Sequence, residues 1–173
     1  MIDSLETISF FISEFFSARA RSTSALALFC RKSALTTALR TSGAELNELY
    51  RTEASVDVKK RILQAMFVGN QSDRLIELAK GEKDPELRKT AIRNLGLMKR
   101  TGTSEALVSI YGSDSSLDVR KTVVNALFLQ NNGKALVDLA RAEKNPEMKK
   151  EIVSKLSVMK SKEAMDYLME LLK

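Results

Sequence analysis

The chain contains the stretch SVDVKKRILQAMFVGNQSDRLIELAKGEKDPELRKTAIRNLGLMK at residues 55–99, and a second version, SLDVRKTVVNALFLQNNGKALVDLARAEKNPEMKKEIVSKLSVMK, follows at residues 116–160. The two align without a gap at a spacing of 61 residues, and 18 of their 45 positions are identical. Repeated units of this size cannot each close a core, so they stack on their neighbours. The recurrence therefore predicts a repeat protein with an extended surface rather than an enclosed reaction pocket.

Each 61-residue block contains two shorter units that share one motif, which is an acidic residue, an apolar residue, a basic residue and a lysine. The four copies begin at Asp57, Glu86, Asp118 and Glu147, with spacings of 29, 32 and 29 residues. The longer middle spacing comes from three extra residues within 99–103 (KRTGT), a stretch that Gly102 marks as a loop.

Two helices are predicted in each short unit. The longer one carries apolar residues at helical spacing, as in Val58, Ile62 and Met66. The shorter one precedes it, with apolar residues such as Leu75 and Ala79. No run of β-branched residues alternates strictly with polar ones, so no strand is predicted.

Capping chemistry predicts where the longer helices begin. Asp84 and Asn145 each precede a proline, which places a side-chain acceptor at the N-cap and proline at the first helical position. The missing N–H of proline costs nothing there. We expect Asp57 and Asp118, the acids that open the other two motifs, to cap their helices in a similar way.

This pattern of a turn, an acid, an apolar residue, Arg or Lys, and an Ala/Leu-rich helix resembles the short HEAT-like (PBS-lyase-type) repeats. Their units of about 30 residues are shorter than the roughly 40 to 47 of long HEAT and armadillo repeats. The resemblance covers residues 44–173 and implies an all-α fold, a right-handed α-α superhelix of four to five helix pairs. The alternation of two repeat types is similar to arrays in bacterial HEAT-repeat proteins of unassigned function, and the resemblance implies binding rather than chemistry.

The first 43 residues lack the repeat pattern and hold five of the seven phenylalanines. Apolar spacing predicts one helix over residues 4–18 and a second over residues 24–40. One interpretation is an atypical N-terminal helical cap on the open edge of the first repeat. The other is an export signal or membrane-surface helix, which Asp3, Glu6 and Glu14 disfavour because they interrupt the positive start and the apolar run. We expect a cap, and a cytoplasmic protein.

The composition offers few groups for catalysis. The chain has no histidine and a single cysteine, Cys30, which excludes the usual zinc and heme ligand sets. It also lacks the glycine-rich motifs that bind phosphates. Cys30 has no histidine to activate it, and we interpret it as a small packed residue beside Phe29. No catalytic residue, cofactor or metal is therefore predicted.

The net charge is mildly positive. The 28 Lys and Arg residues exceed the 22 Asp and Glu residues, which gives a net charge of +6. Nucleic-acid binders usually concentrate basic residues and interleave aromatic rings, whereas this excess is spread along the chain and no tryptophan is present.

The base of each motif lies beside the apolar stripe of the longer helix. These motif bases are Lys59, Arg88, Arg120 and Lys149. Their long stems are predicted to pack between stacked helices while their charged ends reach acids of neighbouring turns, such as Asp57, Asp84 or Asp118. In HEAT-like families this position forms a structural ladder, and we expect the same role here.

The lysine after each base rotates to the far side of the stripe. These motif lysines are Lys60, Lys89, Lys121 and Lys150, and the polar residues one turn later are Gln64, Arg93, Asn125 and Ser154. We expect all eight to face solvent. The resemblance implies that the longer helix lines the concave face, so the eight would form a basic and polar row there. Phe67 and Phe128 lie close to this face, either as exposed anchors for a partner or as packing between repeats.

These features predict a non-catalytic scaffold that binds a partner protein, through an acidic or extended segment, along the concave face. The alternative hypothesis is nucleic-acid binding through the motif lysines. A third is a base-excision enzyme, because some alkylpurine DNA glycosylases use HEAT-like repeats. That family reads DNA with cleft aromatics and an acid, and no tryptophan or matching cluster occurs in this sequence.

Overall fold

The computed structural model describes residues 43–98, 100 and 102–173. Within these residues the chain forms α-helices and no strand, as the repeats predict. The predicted N-terminal helices, the cap that they would form and Cys30 lie outside the described residues.

Nine helices follow one another along the described chain. They are α1 (Gly43–Thr52), α2 (Val56–Val68), α3 (Ser72–Gly81), α4 (Pro85–Leu97), α5 (Thr103–Ser113), α6 (Leu117–Leu129), α7 (Gly133–Ala142), α8 (Pro146–Val158) and α9 (Lys162–Leu171). The even-numbered helices have 13 residues each, and the odd-numbered ones have 10 or 11. Each short first helix is thus followed by a long second helix, with α9 as a final first helix.

The helices stack in two layers. The second helices pack against one another in sequence, α2 on α4, α4 on α6 and α6 on α8. The first helices do the same from α3 to α9, and each second helix also packs against the first helix of its own repeat and of the next. The described residues therefore form an all-α helical repeat solenoid. Its right-handed twist stays a prediction.

The core lies between the two layers and is built from the apolar stripes that helical spacing predicts. Its largest fully buried side chains are Leu63, Met66, Leu75, Leu87, Ile92, Leu95, Leu107, Leu127, Leu136, Met148, Ile152 and Leu156. Each such side chain contributes roughly 1.5 to 3 kcal/mol relative to leaving it in water. All four repeats supply members of this set, so the core is continuous through the stack rather than closed within one repeat.

Two of the predicted helix caps are present. The carboxylate of Asp84 accepts hydrogen bonds from the backbone N–H groups of Glu86 at 2.8 Å and Leu87 at 3.2 Å. Asn145 does the same one block later, and a proline occupies the first turn in both helices. These side chains satisfy N–H groups that would otherwise have no partner at the start of α4 and α8.

The caps predicted at Asp57 and Asp118 are wrong. Ser55 and Ser116 occupy the N-cap positions of α2 and α6, and each hydroxyl accepts a long bond of 3.5 Å from the third residue of the helix. The two aspartates lie in the first turn instead, where their charge interacts favourably with the positive end of the helix. The serine takes the cap because its side chain reaches the free N–H three residues ahead.

Two asparagines terminate alternate second helices. Asn70 and Asn131, 61 residues apart, have φ values of 59° and 57°, a left-handed conformation that asparagine tolerates better than most residues. After Asn70, the N–H of Gln71 bonds back to the carbonyl of Met66 at 2.9 Å, which closes the end of α2. The chain then turns directly into the next repeat.

The second helices α4 and α6 approach each other closely at Gly96. A Cβ atom built on Gly96 would lie 2.7 Å from both Cα and Cβ of Ala126. Such distances are well inside van der Waals contact, so no larger side chain fits without separating the two helices. The equivalent positions one unit earlier and one unit later are Phe67 and Phe128, which shows that the two kinds of repeat pack differently along this layer.

We expect Gly96→Ala to lower the free energy of unfolding by about 1 to 3 kcal/mol, because the added methyl group overpacks the α4–α6 contact. Gly112→Ala is the matched control, since a Cβ there meets nothing within 4 Å. Removing that glycine from α5 should leave stability unchanged or raise it by about 0.4 to 1 kcal/mol. Urea denaturation measures both, and equal effects of the two substitutions would contradict the close approach.

Candidate functional site

Two of the four motif bases, Arg88 and Arg120, join neighbouring repeats through acids that the sequence analysis did not select. Four residues before each motif stands an acid, and these loop acids are Glu53, Glu82, Asp114 and Glu143. Arg88 pairs with Asp114 at 3.2 Å, and Arg120 pairs with Glu143. In each case the base belongs to one repeat and the acid to the next.

The partners predicted for this ladder, Asp57, Asp84 and Asp118, are therefore wrong. The carboxylate of Asp84 is occupied by the N–H groups of its own helix, and the other two lie exposed in a first turn. The loop acids lie between a first helix and its second helix, which brings them opposite the base of the preceding repeat. The ladder is present at Arg88 and Arg120, and its acids come from the loops.

Asp114 and Glu143 each use their two carboxylate oxygens differently. Oε1 of Glu143 accepts from the backbone N–H of Asn145 at 2.7 Å, and Oδ1 of Asp114 accepts from that of Ser116 at 2.8 Å. The second oxygen of each carboxylate faces the base of the preceding repeat. One side chain thus folds the loop before its own second helix and also ties that helix to the previous repeat.

A tyrosine contacts two of the loop acids, Glu82 and Glu143. The hydroxyl of Tyr50 donates to Oε2 of Glu82 at 2.5 Å, and the ammonium of Lys59 lies 5.0 Å from the centre of the Tyr50 ring. We call Tyr50, Lys59 and Glu82 the first tyrosine cluster. A base over an aromatic face is attracted by the electron-rich ring, and burial strengthens this attraction.

The second tyrosine cluster repeats this geometry 61 residues later. The hydroxyl of Tyr111 donates to Glu143, and the Arg120 guanidinium lies 4.3 Å from the ring centre. Both tyrosines are buried, at 3% and 5% exposure. The charged groups of the ladder are therefore enclosed by protein on most sides.

These contacts shift the ionisation of both partners. Burial raises the pKa of Tyr50 and Tyr111 well above the ordinary value, and the hydrogen bond to the neighbouring glutamate adds to this. For Glu82 and Glu143 burial opposes ionisation, but the tyrosine hydroxyl, the loop N–H groups and the nearby base together lower the pKa. The clusters hold a neutral phenol against a charged carboxylate, which suits a structural contact rather than proton transfer.

The second-helix face, meaning the outward surface of α2, α4, α6 and α8, holds the binding residues predicted from sequence. Of the eight expected to face solvent, five are exposed and three are half-buried. The exposed ones are Gln64, Arg93, Asn125, Lys150 and Ser154, and the half-buried ones are Lys60, Lys89 and Lys121. Phe67 and Phe128 are also half-buried, and the ammonium of Lys155 lies 5.7 Å from the Phe128 ring centre. That helices α2 to α8 line a concave face stays a prediction.

Carboxylates on the same face offset part of the motif-lysine charge. Lys89 contacts Glu86 at 2.6 Å and its side chain is only 16% exposed, while Lys121 contacts Glu147 of the next repeat at 2.7 Å. These hydrogen bonds lower the pKa of both glutamates and raise that of Lys121. The surface is therefore of mixed charge rather than uniformly basic.

Sequence reasoning missed an aliphatic row on this face. Eleven residues after each motif acid stands an exposed aliphatic side chain, and these are Val68, Leu97, Leu129 and Val158, at 45%, 55%, 49% and 64% exposure. Each lies eight residues after a motif lysine on the same side of its helix, about 12 Å further along the axis. The signal in the sequence was that an aliphatic residue recurs at this position in all four units. It was missed because apolar residues at helical spacing were assigned to the core.

The described residues contain no cluster of His, Cys, Asp or Glu that could hold a metal ion. None of their helices is long and apolar enough to cross a membrane.

A comparison of the sequence with known families agrees with the helical repeat architecture. A model of the family described as HEAT repeats matches residues 72–132, from the start of α3 to the loop after α6. Residues 72–132, from α3 to α6, are HEAT-like repeats. No curated protein matches it. HEAT repeats commonly mediate contacts between proteins and are typically non-catalytic.

Arg120→Ala should lower the free energy of unfolding by about 1 to 3 kcal/mol, because it leaves Glu143 without its base and removes the guanidinium that stacks on the Tyr111 ring. Arg74→Ala is the control, since Arg74 pairs with Glu77 on the open surface of one helix. That change should cost less than about 0.5 kcal/mol. A loss at Arg120 no larger than at Arg74, measured in chemical denaturation, would show that the ladder does not stabilise the stack.

The lowered pKa of Glu143 also predicts a pH dependence. A carboxylate with a depressed pKa in the fold contributes stability above its unfolded pKa of about 4.3, and this stability is lost as the pH falls through the folded value. We expect Glu143→Gln to flatten the decline in unfolding free energy between about pH 5 and pH 3. Tyr111→Phe keeps the ring but removes the donor, so it should flatten the decline in the same direction. A Glu143→Gln variant with the wild-type slope would contradict this assignment.

Proposed function

We propose that this HEAT-like protein is a non-catalytic scaffold that binds a partner protein on the second-helix face. The aliphatic row is the observation that carries the proposal. A single exposed aliphatic side chain is ordinary on a soluble protein, whereas four at the same position of consecutive packed helices make a repeated apolar strip. Water contact with that strip is unfavourable, and a partner that covers it gains the free energy of burial.

Three parallel rows cross this face. The motif lysines come first, then the polar row of Gln64, Arg93, Asn125 and Ser154, and then the aliphatic row. Successive rows are one helical turn apart, about 6 Å along each helix. A segment lying across the helices would meet all three rows at once, with polar and acidic groups toward the lysines and apolar groups toward the aliphatic row.

The partner proposed is an acidic or extended segment of another protein. The net charge of +6 favours its approach, and the exposed Arg93 and Lys150 present charge at opposite parts of the face. Phe67 and Phe128 add aromatic surface beside the motif lysines, and their half-buried state supports partial contact with a partner. We place this activity in the cytoplasm and on the concave side that the HEAT resemblance implies.

The charges do not favour nucleic acid over protein. Glu86 and Glu147 lie within hydrogen-bond distance of two motif lysines, so phosphates approaching those lysines would also meet carboxylates. A protein segment avoids this repulsion, because it presents both charge signs and apolar groups. Protein binding therefore agrees better with the mixed surface.

The aliphatic row gives the test. A variant with Val68, Leu97, Leu129 and Val158 changed to serine should keep its helical content, because all four side chains are exposed. It should bind an isolated partner at least about tenfold more weakly, roughly 1.4 kcal/mol. Met165→Ser with Met169→Ser is the matched control, since these residues are 57% and 56% exposed on α9, away from the second-helix face.

Isothermal calorimetry with the partner recovered by affinity capture measures the change. The affinity of the Met165→Ser, Met169→Ser control for the partner should stay within about twofold of the wild-type affinity. Replacing the four motif lysines by glutamate should weaken an acidic partner further. Unchanged affinity in both the aliphatic and the lysine variants would contradict the proposal. Capture of nucleic acid, with affinity falling by about 0.9 log units per log unit of salt for each phosphate neutralised, would replace it by the alternative.

A further inference from the structure

A groove separates the helices α1 and α3 on the side of the first helices. Neighbouring first helices pack on each other from α3 to α9, but no comparable packing joins α1 to α3. The groove between these two helices has a volume of about 930 Å³. Its lining includes Asn47 and Arg51 of α1, Lys59 of α2, Arg74 and Glu77 of α3, and Lys83 of the loop after α3.

An arginine stands at the position where other first helices carry an alanine. Arg74 lies twelve residues before a motif acid, as do Ala106 and Ala135, and Ala164 follows 29 residues after Ala135. Ala164 is 0% exposed in α9, which packs on α7 and α8 of the preceding repeat. This position therefore faces the preceding repeat. The longer side chain of Arg74 is incompatible with the close approach that alanine allows.

The groove carries more positive than negative charge. Glu77 pairs with Arg74 at 2.8 Å, and the two oxygens of Glu82 are occupied by the Tyr50 hydroxyl and by backbone N–H groups of its own loop. Within the described residues, Arg51 and Lys83 form no ion pair. The charged side chains of the lining comprise four cations, Arg51, Lys59, Arg74 and Lys83, and two carboxylates, Glu77 and Glu82.

The second tyrosine cluster provides an internal comparison. The same positions recur around it 61 residues later, where Gly112 replaces Arg51 and Ala135 replaces Arg74. These two residues belong to α5 and α7, which pack on each other. The open spacing between first helices and the two arginines therefore occur together at the first tyrosine cluster.

The cations lie toward both ends of the groove. Arg74 is in the first turn of α3, whereas Arg51 and Lys83 lie near the C-terminal ends of α1 and α3. The distance along α3 from Arg74 to Gly81 is about 10 Å, since each helical residue advances about 1.5 Å. In an extended peptide, two residues separated by two others lie about as far apart, at roughly 3.3 Å per residue. A single phosphate would reach only one end.

We propose that this groove binds an acidic segment of a partner protein. One carboxylate of the segment pairs with Arg74, and a second, three residues along, pairs with Arg51 and Lys83. Nucleic acid suits the groove less, because its closely spaced phosphates would face Glu77 and Glu82. A peptide carries backbone N–H groups between its acids, and these can donate to Glu77. The site does not depend on the function proposed for the second-helix face, which belongs to the other layer of helices.

The test uses the peptide N-acetyl-Glu-Gly-Gly-Glu-amide as the probe, with the full chain at low salt. In NMR spectra that resolve the arginine Nε–H groups, titration should shift the Arg51 and Arg74 signals saturably, with a dissociation constant of the order of 1 mM for so small a ligand. The peptide with glutamine at both ends should bind at least about tenfold more weakly. Inorganic phosphate and a short oligothymidylate should each bind at least about fivefold more weakly than the acidic peptide.

Two arginine variants remove the same charge at different places. Arg74→Ala should weaken binding of the acidic peptide at least about fivefold, because the cation at one end of the groove is lost. Arg141→Ala is the matched control, since Arg141 pairs with Glu170 between α7 and α9, away from the groove. That variant should bind the peptide within about twofold of the wild-type affinity. Both arginines are on the surface, at 43% and 56% side-chain exposure, so both variants should fold.

Several results would overturn the proposal. These are the absence of a saturable Arg74 shift in the wild type, equal affinity for the glutamate and glutamine peptides, and equal effects of Arg74→Ala and Arg141→Ala. Phosphate or oligothymidylate binding as tightly as the acidic peptide would also overturn it, because the groove would then select negative charge and not a peptide. The comparison of the two peptides uses the wild type alone, so it decides even if a variant does not fold.

Discussion

The loop-acid carboxylate is the interaction on which this architecture depends. One oxygen holds the backbone of the loop that starts a second helix, and the other crosses to the base of the preceding repeat, as at Glu143 with Asn145 and Arg120. Because the same group fixes a local turn and an inter-repeat contact, a repeat reaches its full stability only when its neighbour is in place. This dependence is what makes a stack of small helix pairs behave as one folded unit.

Two kinds of repeat alternate within this common architecture. The tyrosine position is Tyr, Ala, Tyr and Ala along the four units, and the position of Gly96 is Phe, Gly, Phe and Ser. Large residues occupy both positions in one kind of unit, whereas the small Gly96 in the other lets α4 and α6 approach each other closely. The 61-residue period therefore reflects two kinds of repeat with different residues at these two packing positions.

The surfaces that remain accessible follow from the same organisation. The charged side chains of the ladder stabilise the stack and are mostly buried, so they contribute little to partner recognition. On the second-helix face, two motif lysines form ion pairs with glutamates. What distinguishes that face is then the aliphatic row rather than its charge. A surface that combines an apolar strip with paired charges suits a protein segment, because such a segment can match both features.

The sequence by itself determined the helices, their order, the caps at Asp84 and Asn145 and the assignment to HEAT-like repeats, because these depend on residues a few positions apart in the chain. Tertiary structure alone decided which acids join the ladder, the partial burial of Lys89 beside Glu86, and the exposure of Leu97 and its equivalents. Helical spacing places an apolar residue on a side of its helix but does not say whether the neighbouring repeat covers it. Likewise, a motif base has several acids within reach in sequence, and only the offset between stacked repeats selects the one that lies opposite.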